Sequence, residues 1–245
     1  MTWIKICGIT NLEDALTAVD AGADALGFVF YEKSPRNIAP DVAREIVARL
    51  PGPVEKVGVF VHGCGPDPVD VASQVGLTAI QNGLGSLPGG AATSPQGAVG
   101  LAGLARAPKL YLSFPADWFF GDVERIKNLA ESLVHFRWHA TGRFGSSVGW
   151  LDTFFLDSSN LQLPGGTGVA FDWEKAASVA EGMRERGFKL VVAGGLTPSN
   201  VPEAMHKLKP WGVDVSSGVE AQPGRKDPEK IRAFVVAVRG AEKVA

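Results

Sequence analysis

Apolar and polar positions alternate along this chain in two rhythms. Nearly continuous apolar runs occupy residues 3–7, 25–30, 55–61, 78–81, 109–113, 150–157, 189–193 and 211–215. Short runs of this kind, roughly 4–8 residues and rich in Val, Ile and Phe, read as strands buried on both faces, as parallel sheets demand. Between most of them lie amphipathic or Ala-rich stretches with helical spacing, at 11–21, 40–50, 67–74, 122–133, 173–186, 198–208 and 227–238. Strand alternating with helix implies parallel strands joined by crossover helices. Thr10 and Glu13 have capping-box spacing ahead of the first helix. Pro40 and Pro198 suit the first turn of theirs.

Eight such units admit two architectures. A doubly wound sheet would place a Gly-x-Gly-x-x-Gly after its first strand, whereas the turn here reads Cys7-Gly8-Ile9-Thr10. A closed barrel gathers its chemistry at the C-terminal ends of its strands. Polar and glycine residues concentrate there, at Cys7, Asp157, Gly194-Gly195 and Ser216-Ser217-Gly218. The pattern therefore predicts an α/β fold, a (β/α)8 TIM barrel, with residues 1–245 forming a single domain. One stretch breaks the rhythm. Residues 83–108 are rich in Gly, Ala, Pro and Ser, with at best a weak helix at 96–106. The expectation is an irregular, mobile segment in place of the fourth helix. A second irregular loop is expected at 139–149.

Composition adds limits. A length of 245 residues suits one barrel. A net charge of -2 gives no pull toward nucleic acid. No apolar run approaches the roughly 18 residues of a membrane span, and no basic-then-apolar leader opens the chain. Cys7 and Cys64 are the two cysteines. They make no disulfide framework, so a reducing cytoplasm is expected. Without a CxxC or a His/Cys cluster, no metal site is expected. Neither a cofactor nor an obligatory protein partner is expected.

Candidate chemistry begins with phosphate. Val191-Val192-Ala193-Gly194-Gly195-Leu196-Thr197 is a buried strand running into two glycines and a helix start. Val213-Asp214-Val215-Ser216-Ser217-Gly218-Val219 repeats that logic at the eighth strand. Amides at two such adjacent turns can cradle one phosphate, the usual site of a barrel. A single Gly-Gly turn would carry no such weight.

Trp3, Lys5 and Cys7 share one strand face. If that face is the barrel interior, Cys7 lies at its upper rim. A buried cysteine is usually an inert small hydrophobe, but a thiolate at a strand end, followed by Gly8, could abstract a proton. Free thiols titrate near about 8.5, so local positive potential is needed. Lys5 is a candidate source, and Asp214 a plausible ion-pair partner for it. Asp157 ends the sixth strand after Phe154-Phe155-Leu156. A partly desolvated carboxyl there would hold its proton and could serve as an acid. The glycine run at 164–168 beside it could close over a substrate.

These pieces together resemble one family. Lys5-Ile6-Cys7-Gly8-Ile9-Thr10, Gly27-Phe28-Val29-Phe30 with Ser34-Pro35-Arg36, and Val57-Gly58-Val59-Phe60-Val61 resemble the opening strands of phosphoribosylanthranilate isomerases. Leu156-Asp157-Ser158, Gly165-Gly166-Thr167-Gly168 with Phe171-Asp172-Trp173, Ala193-Gly194-Gly195-Leu196-Thr197-Pro198 and Asp214-Val215-Ser216-Ser217-Gly218-Val219-Glu220 resemble the closing ones. The resemblance covers residues 1–62 and 150–238. It implies an Amadori rearrangement of N-(5-phosphoribosyl)anthranilate, a small phosphorylated substrate. Asp157 would protonate the ring oxygen and Cys7 would take the proton from C2. Arg36 would contact the anthranilate carboxylate, and Gln81 and Asp214 count among the implied substrate-binding residues. The chain departs from the family after the fourth strand. The family reads Gln-Leu-His-Gly there; Ile80-Gln81-Asn82-Gly83 has a glutamine but no histidine. His62 is a candidate replacement, though a solvated loop histidine is the plainer reading.

Two other functions compete. The related isomerase of histidine biosynthesis takes a substrate with two phosphates and uses two aspartates; Cys7 and a single cradle disfavour it. A non-catalytic phosphosugar-binding barrel is disfavoured by retention of both Cys7 and Asp157.

Overall fold

The computed structural model describes residues 1–61, 64–83, 109–120, 152–158 and 170–243. Eight strands, β1 (Trp3–Cys7), β2 (Ala25–Val29), β3 (Glu55–Val61), β4 (Ala79–Gly83), β5 (Leu110–Pro115), β6 (Thr153–Asp157), β7 (Lys189–Val192) and β8 (Gly212–Val215), close into a barrel in sequence order. All pairings around the ring are parallel, including β1 with β8. The predicted barrel is therefore the observed one, and the doubly wound alternative falls away. Around it run α1 (Leu12–Asp20), α2 (Pro40–Val47), α3 (Pro68–Val75), α4 (Trp173–Glu185), α5 (Val201–Leu208) and α6 (Pro228–Ala241). A short antiparallel hairpin, β9 (Glu220–Gln222) and β10 (Arg225–Lys226), sits between β8 and α6. Of the expected irregular segment at 83–108, Gly83 ends β4; the rest, with the expected helix at 122–133 and loop at 139–149, lies outside the described residues.

Strand alternation separates two cores. Ile4, Ile6, Leu26, Phe28, Ile80 and Phe154 face outward and are buried under the helices. Trp3, Ala25, Val57, Ala79, Tyr111, Phe155, Val191 and Ala193 pack together inside the ring. Each large side chain removed from water in this way contributes about 1.5–3 kcal/mol. Because β1 turns Trp3 inward, Lys5 and Cys7 follow it by the two-residue period. Trp3 stacks on Trp211 at 5.3 Å and closes the N-terminal end.

Two helix starts differ from expectation. Asn11, not Thr10, caps α1, its side chain accepting from the Asp14 amide at 2.9 Å. The Thr10 hydroxyl instead donates to the Gly224 carbonyl. Pro198 precedes α5 rather than opening it. Asn200 accepts from the Thr197 amide at 2.7 Å and donates to the Gly195 carbonyl at 2.9 Å. That tight turn delays the helix to Val201, and Pro202 takes the first-turn place. Among the described residues no helix is long and apolar enough to cross a membrane.

Candidate active site

Cys7 is the last residue of β1 and pairs in register with Gly27 of β2. A Cβ at Gly27 would lie 2.8 Å from the Cys7 Sγ and 3.0 Å from the Lys5 Cε. Position 27 is thus a glycine because two inward side chains fill its space. Lys5 is wholly buried, with Nζ 3.0 Å from the Asp214 Oδ1 and 5.3 Å from the centre of the Phe155 ring. The expected Lys5–Asp214 pair is therefore present across the β1–β8 seam. Burial works against the Lys5 ammonium, but Asp214 and Cys7 outweigh it and its pKa lies above the usual lysine range.

This pairing changes the expectation for Cys7. Burial pushes the thiol up; Lys5 pulls it down, Asp214 pushes it up again, and Lys226 pulls it down. The net direction is up, because burial outweighs the pull of Lys5, which Asp214 partly balances. Cys7 therefore rests mainly as a thiol at neutral pH, and its thiolate is a scarce but strong base. Ultraviolet titration of Cys64→Ser protein should show the remaining thiol ionising above the ordinary value of about 8.5. Ionisation below neutrality would contradict this reading.

Asp157 is the last residue of β6 and is half-buried. It shares the inward face of Phe155 by the strand period. β6 stands three places from β1 around the ring of eight, by way of β7 and β8. The two candidate catalytic residues thus face one mouth from nearly opposite walls. Gly194, with φ 82°, lies against this acid: an added Cβ would come 2.7 Å from the Asp157 Oδ1 and collide with Ser158.

The candidate phosphate loops also meet. Gly194 and Gly195 both adopt positive φ, at 82° and 65°, where side chains are strained. A Cβ on Gly218 would collide with the Leu196 carbonyl and lie 3.2 Å from the Thr197 Cα. The turns after β7 and β8 are therefore in backbone contact, and Ser217–Val219 form a short 3-10 turn there. The Ser216 hydroxyl is buried without a hydrogen-bond partner among the described residues.

Arg36 is buried and crosses the first turn; a Cβ on Gly8 would lie 2.6 Å from its Cδ. Its Nε and Nη2 donate to the two Glu220 carboxylate oxygens, each at 2.8 Å. Lys226 donates to the Glu220 Oε1 at 2.9 Å and to the Ser216 carbonyl at 3.1 Å. Burial alone would raise the Glu220 carboxyl, but Arg36 and Lys226 hold it below the usual range. Gln81, on the inward face with Ala79, is buried, and its Oε1 has no hydrogen-bond partner among the described residues. Asn82 lies on the opposite, outward face with Ile80. His62 and the glycine run at 164–168 lie outside the described residues. Sequence reasoning missed Glu220, Lys226 and the spatial role of Gly27. A buried arginine demands a carboxylate, but the burial of Arg36 is visible only in the fold.

Comparison with known proteins agrees with this geometry. Residues 4–82 and 146–237 match the model of the family described as N-(5'-phosphoribosyl)anthranilate (PRA) isomerase. The chain is 41% identical over 235 residues to the N-(5'-phosphoribosyl)anthranilate isomerase of Citrifermentans bemidjiense, covering 96% of both chains. It is 39% identical to that of Rubrobacter xylanophilus, covering 98% of this chain and 100% of the relative. The solved phosphoribosyl anthranilate isomerase of Thermotoga maritima is similar with a TM-score of 0.72 at 36% identity, over 98% of this chain and 100% of that one. A phosphoribosyl anthranilate isomerase in complex with reduced 1-(o-carboxyphenylamino)-1-deoxyribulose 5-phosphate is similar with a TM-score of 0.70 at 35% identity, over the same shares.

Proposed function

The chain belongs to the N-(5'-phosphoribosyl)anthranilate isomerase family, and we propose that its barrel mouth performs the family's reaction with Asp157 as general acid and Cys7 as general base. The enzyme is an aldose–ketose isomerase of tryptophan biosynthesis. It converts N-(5'-phosphoribosyl)anthranilate to 1-(2-carboxyphenylamino)-1-deoxyribulose 5-phosphate. The observation that carries the residue assignment is that β1 and β6 end in Cys7 and Asp157 on one mouth, beside two touching glycine turns. The closure of all eight strands into one ring supports residues 1–245 as one domain.

In this reading Asp157 gives its proton to the furanose oxygen as the C1–O bond breaks. The anilino nitrogen supplies its lone pair and becomes an iminium. The Cys7 thiolate then takes the proton from C2. The C–H electron pair forms the C1=C2 bond, and the iminium π pair returns to nitrogen. Tautomerisation of the enol-amine moves a proton to C1 and leaves the C2 ketone. An iminium beside C2 makes that proton acidic, so a thiolate suffices as base. The raised thiol pKa strengthens the base and reduces its population, two effects that partly offset.

The phosphate would be held by backbone amides of the Gly194-Gly195 and Ser216-Ser217-Gly218 turns. Arg36, Gln81 and Asp214 complete the pocket, Asp214 by fixing Lys5 beneath the thiol. Gly195→Leu should disturb the cradle and leave the barrel folded. Loss of one charge-assisted hydrogen bond corresponds to a rise in KM of roughly 10- to 100-fold. An unchanged KM would remove Gly195 from the phosphate site. Growth without tryptophan of an isomerase-deleted host carrying this chain tests the activity itself; failure to rescue with folded protein present would count against it.

A further inference from the structure

A guanidinium has two edges that can each hold a carboxylate, one formed by Nε and one terminal nitrogen, the other by the two terminal nitrogens. In Arg36 the first edge is taken, because Nε and Nη2 donate in parallel to Glu220. The end-on edge, with Nη1, makes no hydrogen bond among the described residues. From this we propose that Glu220 is a positioning residue, which grips the side-on edge of Arg36 and presents its end-on edge to the aryl carboxylate of the substrate. The proposal rests on the reading of Arg36 as the carboxylate contact.

Glu220 is itself immobilised. Its Oε1 accepts from Arg36, from Lys226 and from the Gly224 amide at 3.3 Å, and its carbonyl accepts from Lys230 at 2.8 Å. The β9–β10 hairpin that carries it is pinned on three sides. The Lys226 amide donates to Asp14 of α1 at 2.8 Å. Gly224, with φ 78°, brings its backbone against the Arg36 loop, where an added Cβ would lie 2.8 Å from the Pro35 carbonyl. Thr10, in the turn after Cys7, donates to the Gly224 carbonyl. The hairpin thus ties the first turn, the Arg36 loop and α6 into one frame.

Charge bookkeeping explains the third member. A lone Arg36–Glu220 pair would be formally neutral and would attract an anion only through the N–H groups of its free edge. With Lys226 buried beside Glu220, two cations share one carboxylate, so these three side chains together carry one positive charge. The frame therefore aims Arg36 without cancelling its attraction for an anion. Unsupported, the long arginine side chain would have to lose rotamer freedom when substrate arrives.

The test uses full-length wild type, Arg36→Met, Glu220→Gln and the double variant. Each is assayed for kcat and KM with N-(5'-phosphoribosyl)anthranilate and with N-(5'-phosphoribosyl)aniline, which lacks the carboxylate. Glu220→Gln should raise KM for the natural substrate about tenfold, the scale of one weakened charge-assisted pair, with kcat little changed. It should leave KM for the aniline substrate alone, and the double variant should be no worse than Arg36→Met. An unchanged KM, an equal rise with both substrates, or full additivity would overturn the proposal. An unchanged KM in Arg36→Met would instead remove the carboxylate contact, and the proposal with it. Arg36→Lys keeps the charge but has no second edge, and provides a test should Glu220→Gln fail to fold. Its KM should approach that of Arg36→Met; a wild-type KM in Arg36→Lys would overturn the two-edge argument.

Discussion

Replacing Cys7 by serine is expected to lower kcat by about two to four orders of magnitude, the usual contribution of a general base. Serine is no larger than cysteine, so the space kept by Gly27 stays sufficient and the barrel should fold. A hydroxyl ionises far above a thiol, and the nearest described groups cannot assist it. Asp214 is bound to Lys5, and Lys226 is committed to Glu220 and the Ser216 carbonyl. Substrate binding should remain near normal, since the proposed phosphate and carboxylate contacts lie at the glycine turns and Arg36, away from this sulfur. Steady-state kinetics on folded protein check this. A variant keeping a tenth or more of the wild-type kcat would withdraw the role of base from Cys7.

Asp157→Asn should lower kcat by a similar factor, roughly 10² to 10⁴. The amide keeps the shape that packs against Gly194 but has no acidic proton for the ring oxygen. Without that proton the C1–O bond must break to an alkoxide, and the iminium that makes C2 acidic forms slowly. The loss should therefore fall on kcat rather than KM. An Asp157→Asn protein within tenfold of wild type would show that another group opens the ring.

The fold was legible in the sequence because eight apolar runs and their helical spacers repeat one physical rule. Strand ends were less so. β4 continues through the polar Asn82 and through Gly83, and β5 runs past Ser113 to Phe114 and Pro115, so a polar or small residue at the end of an apolar run did not mark the strand's end. Helix starts moved for a local reason, since Asn11 and Asn200 bind backbone groups that the sequence alone left unassigned. Cys7 and Asp157 could be placed from their positions at strand ends. The Lys5–Asp214 pair could be anticipated because barrel closure sets β1 beside β8 and turns both residues inward. The Arg36–Glu220–Lys226 group could not. Its members sit on a loop and a hairpin, 184 positions separate Arg36 from Glu220, and no periodic rule relates them. The thiol also titrates against the simple expectation, because its burial outweighs the pull of the Lys5 cation beside it.

The most direct measurement is turnover of N-(5'-phosphoribosyl)anthranilate by the purified wild-type protein, beside the Cys7→Ser/Asp157→Asn double variant prepared in parallel. The account predicts saturable formation of 1-(2-carboxyphenylamino)-1-deoxyribulose 5-phosphate by the wild type and near-complete loss in the double variant. Equal rates in the two preparations, or no ketose from folded wild-type protein, would contradict it.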